Sequence, residues 1–179
     1  MLKRTAFVLF VLALAFALPA AGQDEKYPIS GQIGLVGYIQ SPQMRVNGPG
    51  PEPKHIVARS SVQLWAPADF FPQDFLYDTP EPLAGPDHEL LYGTVIFYVN
   101  CNFDPEQKGP CWGTFRWELS GTSWWEGSWA SPLMDMSTYE SLITMVGHGV
   151  GGPIDGMQLK VDGYSAPGDY FITIKARIK

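Results

Sequence analysis

The chain has 179 residues, a net charge of −6, 13% aromatic residues and only 17% charged ones. An acidic chain without a Lys/Arg cluster excludes nucleic acid and anionic membrane surfaces as natural partners. Its aromatic content excludes a disordered polymer and, at this length, favours one domain with a sizeable core.

Lys3 and Arg4 precede an unbroken apolar run, residues 6–18, followed by Pro19-Ala20-Ala21-Gly22. A basic start, a short apolar segment and small residues predict a secretory signal peptide over residues 1–22. The run is shorter than the ~20 residues a spanning helix needs, and polar Gln23-Asp24-Glu25-Lys26 follow at once. The expectation is a secreted or periplasmic protein without stable membrane insertion, folded as one domain over residues 23–179. Losing Lys3 and Arg4 leaves that domain more acidic still.

Residues 31–40 read as a first strand, and the Pro/Gly-rich 42–53 as a loop. Residues 55–65 alternate as a second strand, with Ile56, Ala58, Ser60, Val62 and Leu64 on one face. Residues 66–88 are proline-rich without a period, yet carry Phe70, Phe71, Phe75, Leu76 and Tyr77. A loop this long in a compact domain is commonly functional. It is read either as a lid over one end of the domain, with a helical turn over 69–78, or as a segment packed on the outside.

Residues 89–100 form the most strongly β segment, with apolar residues on both faces and so a predicted burial on both. Cys101 and Cys111 follow. In an oxidising compartment they predict a disulfide that staples a hairpin tip. No metal site is expected there, because no His or third Cys is near.

Five of the six Trp lie between Trp112 and Gly163, in period-two segments punctuated by Gly. Residues 113–119 and 123–131 form a hairpin whose register can be argued. A two-residue turn would mix the faces. An odd loop, 120–122, sets Trp117 opposite Trp125 and Arg116 opposite Glu126, keeping indoles on one side and charges on the other. Residues 138–146, 155–162 and 170–178 supply three more strands, the last with Tyr170, Ile172, Ile174, Ala176 and Ile178 inward. The fold class is therefore all-β: a single antiparallel, roughly eight-stranded up-and-down barrel with a long Pro/Phe-rich loop.

Few motifs carry chemistry. Gly147-His148-Gly149-Val150-Gly151-Gly152 matches the dinucleotide glycine pattern, but that motif needs a following helix N-terminus and here a strand follows. It reads as a glycine-rich connection or bulge. Glu126 and His148 are the acid/base candidates. In the argued register Glu126 faces outward to Arg116; one residue of slip would turn it into a Trp-lined interior. Trp117, Trp125, Trp129 and Tyr170, with Phe71 and Phe75 from the long loop, are the candidate ligand-binding residues. Core packing is the competing reading for Trp117 and Trp125. No cofactor and no metal are expected.

The series Trp124-Trp125-Glu126-Gly127-Ser128-Trp129, the glycine run from Gly147 continuing to Leu159, and the closing strand together resemble allene-oxide-cyclase-like barrels, which sit near the dirigent and calycin-type barrels. The resemblance spans about residues 113–178. It implies a small β-barrel, in a family that includes cyclases shaping a reactive lipid in an apolar cavity. It assigns no catalytic residue, and the proline-rich segment and the disulfide loop depart from a minimal barrel. Three functions compete, in this order: an exported barrel binding a small apolar or aromatic ligand; an envelope or extracellular interaction barrel with a filled core; and a cofactor-free isomerase or cyclase.

Overall fold

The computed structural model describes residues 27–48, 55–72 and 84–179. The predicted leader lies outside the described residues, as do residues 73–83 of the long loop, with Phe75. Among the described residues nine strands make one antiparallel sheet: β1 (Tyr27–Gln40), β2 (Gln43–Asn47), β3 (His55–Pro67), β4 (Thr94–Phe103), β5 (Lys108–Ser120), β6 (Ser123–Asp135), β7 (Ser141–Val150), β8 (Gln158–Ser165) and β9 (Phe171–Ile178). Each of β3 to β8 pairs with the next in the chain. The first half of β1 pairs with β9 and its second half with β3, which closes a ring of eight strands. The short β2 lies beside β3 and outside that ring. No helix among the described residues is long and apolar enough to cross a membrane.

Alternation decides what fills the ring. Val95, Phe97 and Val99 on β4, Phe115 and Trp117 on β5, and Trp125 and Trp129 on β6 point inward and are buried. Leu159, Val161, Ile172, Ile174, Ala176 and Ile178 complete the inner layer from β8 and β9. Fully burying side chains of this size stabilises by roughly 1.5–3 kcal/mol each. The Trp117–Trp125 and Arg116–Glu126 pairings hold as the face argument requires. The turn that achieves them is tighter than the three-residue loop expected, because Ser120 pairs with Ser123 and the extra residue is a bulge at Leu119.

Four local expectations change. Residues 43–47 form β2 rather than loop. The segment before β4 is not strand: Glu89–Leu91 make a 3-10 turn, with the His88 side chain accepting the Leu90 N–H at its start. The outer face of β4 is also not buried, since Tyr98 is exposed. On β3 the alternation breaks in the middle. Ala58 pairs with Cys101 but Ser61 with Val99, so one extra residue bulges out at Arg59–Ser60, where Ser60 takes φ 57°. The bulge inverts the facing, and Ser61, Gln63 and Trp65 turn to the interior in place of Ser60, Val62 and Leu64.

The glycine run belongs mostly to β7, which extends to Val150, and the chain then turns through a 3-10 segment, Gly152–Ile154. Gly151 and Gly152 have φ of 72° and 59°, the left-handed region that glycine adopts without penalty. No helix follows.

Candidate functional site

The two ends of the barrel differ. At one end the 3-10 turns seal the ring: Leu91 and Ile154 are fully buried against Trp117 and Trp125. The Trp125 indole N–H donates to the Leu90 carbonyl at 2.7 Å and locks that turn in place. This end is solid.

The other end is hollow. Two adjoining cavities of about 140 Å³ each open here, one between the disulfide, the β6–β7 turn and the β8–β9 turn, the other between β2, β3 and the disulfide hairpin. They share Tyr38, Gln63, Val99, Cys101 and Met136. The inner wall is aromatic. Phe97 meets the edges of Trp65 and Trp129 with ring centroids 5.9 and 5.4 Å apart. Both indole N–H groups are already used, by the Gln63 side chain at 3.0 Å and the Tyr98 carbonyl at 3.2 Å. These Trp rings therefore offer the cavity faces and edges, not donors.

Three phenols stand at the mouth. Tyr139 and Tyr170 lie 5.5 Å apart, centroid to centroid, and Tyr38 lines both cavities. All three are about half exposed, at 48, 55 and 49%. Burial and then the neighbouring Tyr139 push the Tyr38 phenol up from its ordinary value, so it stays protonated and able to donate. Asp169, Ser141 and Ser165 supply the remaining polar lining, with Gln63.

The rim is held by its loops. Asp135 ties the β6–β7 turn, accepting from the Ser137 hydroxyl at 2.6 Å, from the Ser137 N–H at 2.9 Å and from the Lys108 ammonium at 3.3 Å. The Met136 N–H donates to the Gln107 carbonyl, joining that turn to the disulfide hairpin. The Gly168 N–H donates to the Thr138 carbonyl, joining it to the β8–β9 turn. Gln107 and Tyr139 have φ of 64° and 63°, a left-handed backbone that costs a non-glycine residue energy. Two of the three such residues among those described thus sit at the cavities, and the third, Ser60, makes the bulge that turns Gln63 and Trp65 inward. The hairpin tip is closed by the disulfide Cys101–Cys111, whose residues also line the cavity.

The sequence candidates fall in three places. Trp129 and Tyr170 line the cavity. Trp117 and Trp125 belong to the solid end and are core. Phe71 lies on the outer wall, edge-on to Phe171 at 5.3 Å, so the described start of the long loop packs against the outside of the barrel. Glu126 and His148 are opposite one another on β6 and β7, on the outer face, 3.6 Å apart. The Trp124 indole donates to Glu126 at 2.9 Å. Arg116 lies opposite Glu126 but makes its ion pair with Glu118, at 2.9 Å, and stacks its guanidinium on Trp124 at 4.2 Å. Neither Glu126 nor His148 lines either cavity.

Trp65, Tyr38 and Tyr139 escaped the sequence reading. The first is hidden by the β3 bulge, which no alternation count anticipates. The other two occupy a strand end and a turn, where side-chain direction follows from loop geometry instead of period. Comparison of the chain with family models, curated proteins and solved structures finds no match to any of them.

Proposed function

We propose that this is an exported barrel that holds a small apolar or aromatic ligand in the hollow end of its interior. One observation carries the reading: the aromatic-walled cavity beneath Tyr38, Tyr139 and Tyr170, in a barrel whose opposite end is packed solid. Ligand sites are typically concave, mostly apolar and provided with a few placed polar groups, and this end has that composition. The disulfide is compatible with an oxidising compartment, in keeping with the leader read in residues 1–22. The resemblance to allene-oxide-cyclase-like barrels belongs to the same proposal, as a likeness in glycine and aromatic spacing. The cyclase reading gains no support from Glu126 or His148, which face solvent on the outer wall.

The test is native mass spectrometry of protein exported by its own host, together with quenching of Trp fluorescence by small aromatic compounds. A co-purifying small molecule, or saturable quenching weakened by Trp129→Ala and unaffected by Glu126→Gln, is the expected result. No bound molecule and no saturable quenching would overturn the proposal. A second reading, a barrel that meets another protein through its outer wall, is favoured by Leu133, Leu142 and Tyr164. They are partners in register across β6, β7 and β8, and all are exposed. Loss of a partner from a cross-linked host extract on Leu142→Lys would be its sign.

A further inference from the structure

We propose that the hollow end selects cationic ligands: a small ring or short alkyl chain carrying an ammonium group, with the apolar part inside and the charge at the mouth. This rests on the ligand-binding reading above and specifies the ligand class. Among the described lining residues of both cavities there is no Lys, Arg or His, and the only charged residue is Asp169. A carboxylate or phosphate ligand would therefore find no countercharge in the lining, and would enter past an anion in an acidic protein.

An ammonium finds the reverse. The phenol rings of Tyr139 and Tyr170 lie together among the lining residues, with Tyr38, and aromatic rings attract cations through their quadrupole. Asp169 is held by its backbone, its N–H donating to the Ala166 carbonyl and its carbonyl accepting from the Ser165 hydroxyl. Its carboxylate enters no ion pair among the described residues. Asp135, in the neighbouring turn, is by contrast committed to Ser137 and Lys108. The depth of the site sets the apolar part. A dry cavity of about 150 Å³ takes a benzene-sized group, and each of these cavities measures about 140 Å³. The charge stays at the rim, where half-exposed phenols and water solvate it, so the desolvation that a buried ammonium would suffer is avoided.

The experiment uses the disulfide-intact protein and three probes of one shape, namely benzylammonium, benzyl alcohol and benzoate, titrated at pH 7 by Trp fluorescence and calorimetry. Benzylammonium is expected to bind about tenfold tighter than benzyl alcohol, with benzoate the weakest. Asp169→Asn is expected to bring the ratio of benzylammonium to benzyl alcohol affinity close to one, which separates this site from general attraction to an acidic surface. Equal affinity for ammonium and alcohol, a preference for benzoate, or an ammonium preference untouched by Asp169→Asn would each overturn the inference and leave the ligand-binding reading standing. Failure of all three probes to bind would overturn both.

Discussion

Trp117 lies directly across the β5–β6 pair from Trp125, both fully buried, yet only one of the two indole N–H groups has an acceptor. Trp125 donates to Leu90, whereas Trp117 Nε1 has no partner among the described residues. Replacing either with Phe removes similar ring volume, but Trp125→Phe also strands the Leu90 carbonyl. Trp125→Phe is therefore expected to cost about 1 kcal/mol more than Trp117→Phe. Urea unfolding of the two variants measures the difference, and equal losses would show that the Leu90 bond contributes nothing.

The register that makes this pair also demands glycine beside it. A Cβ on Gly147 would lie 2.8 Å from the Phe115 ring and 2.5 Å from the Glu126 carbonyl oxygen. Gly147→Ala is expected to destabilise by about 1–3 kcal/mol, the usual cost of overpacking. Shortening the ring with Phe115→Leu in the same chain should recover part of that loss, a non-additivity that a double-mutant cycle reads directly.

Acid should loosen the rim before the core. Hydrogen bonds from Ser137, and then the Lys108 ammonium, hold the Asp135 carboxyl well below the usual carboxylate range, although burial works the other way. A depressed carboxylate contributes stability that is fully present above the unfolded value, near pH 4, and is lost as pH falls through the folded one. The stability gap between the native protein and Asp135→Asn should thus be constant from about pH 7 to 5 and narrow progressively as pH falls below about 4. Thermal melts at one-unit pH steps follow it, and a gap as wide at about pH 2 as at neutral pH would contradict the assignment.

Cys101 and Cys111 are separated by 10 residues, so the chain-entropy value of their bond is about 2–3 kcal/mol. The paired Cys101→Ser and Cys111→Ser variant should lose roughly that much in denaturant. Because both residues also line the cavity, probe binding should weaken in the variant even at temperatures where it remains folded.

Much of the wall was legible in the sequence and little of the mouth. Period-two alternation placed Phe115, Trp117 and Trp125 inward because a buried face rewards a single register, and the same logic put Glu126 outside. It failed on β3, where the single residue inserted at Arg59–Ser60 carries Trp65 and Gln63 from one face to the other. It could not reach Tyr139, whose direction depends on a left-handed turn residue and on the Asp135 hydrogen bonds. Tyr170 was expected inside with Ile172 and is exposed at the rim instead, since β9 begins one residue after it. Strand interiors obey a period; a mouth is built from its exceptions.

The way β1 shares its length between β9 and β3 has a kinetic consequence. Six consecutive hairpin-type pairings, from β3 through β9, can form as the chain lengthens, each between neighbours in sequence, and the β1–β3 pairing makes a seventh. The eighth seam joins Tyr27 to Ile178 and needs the last strand before the first half of β1 can pair. Until then the growing sheet keeps two unpaired edges, and the closure of so long a loop makes it the slow step. Until the final strand is available, this protein is an open ribbon.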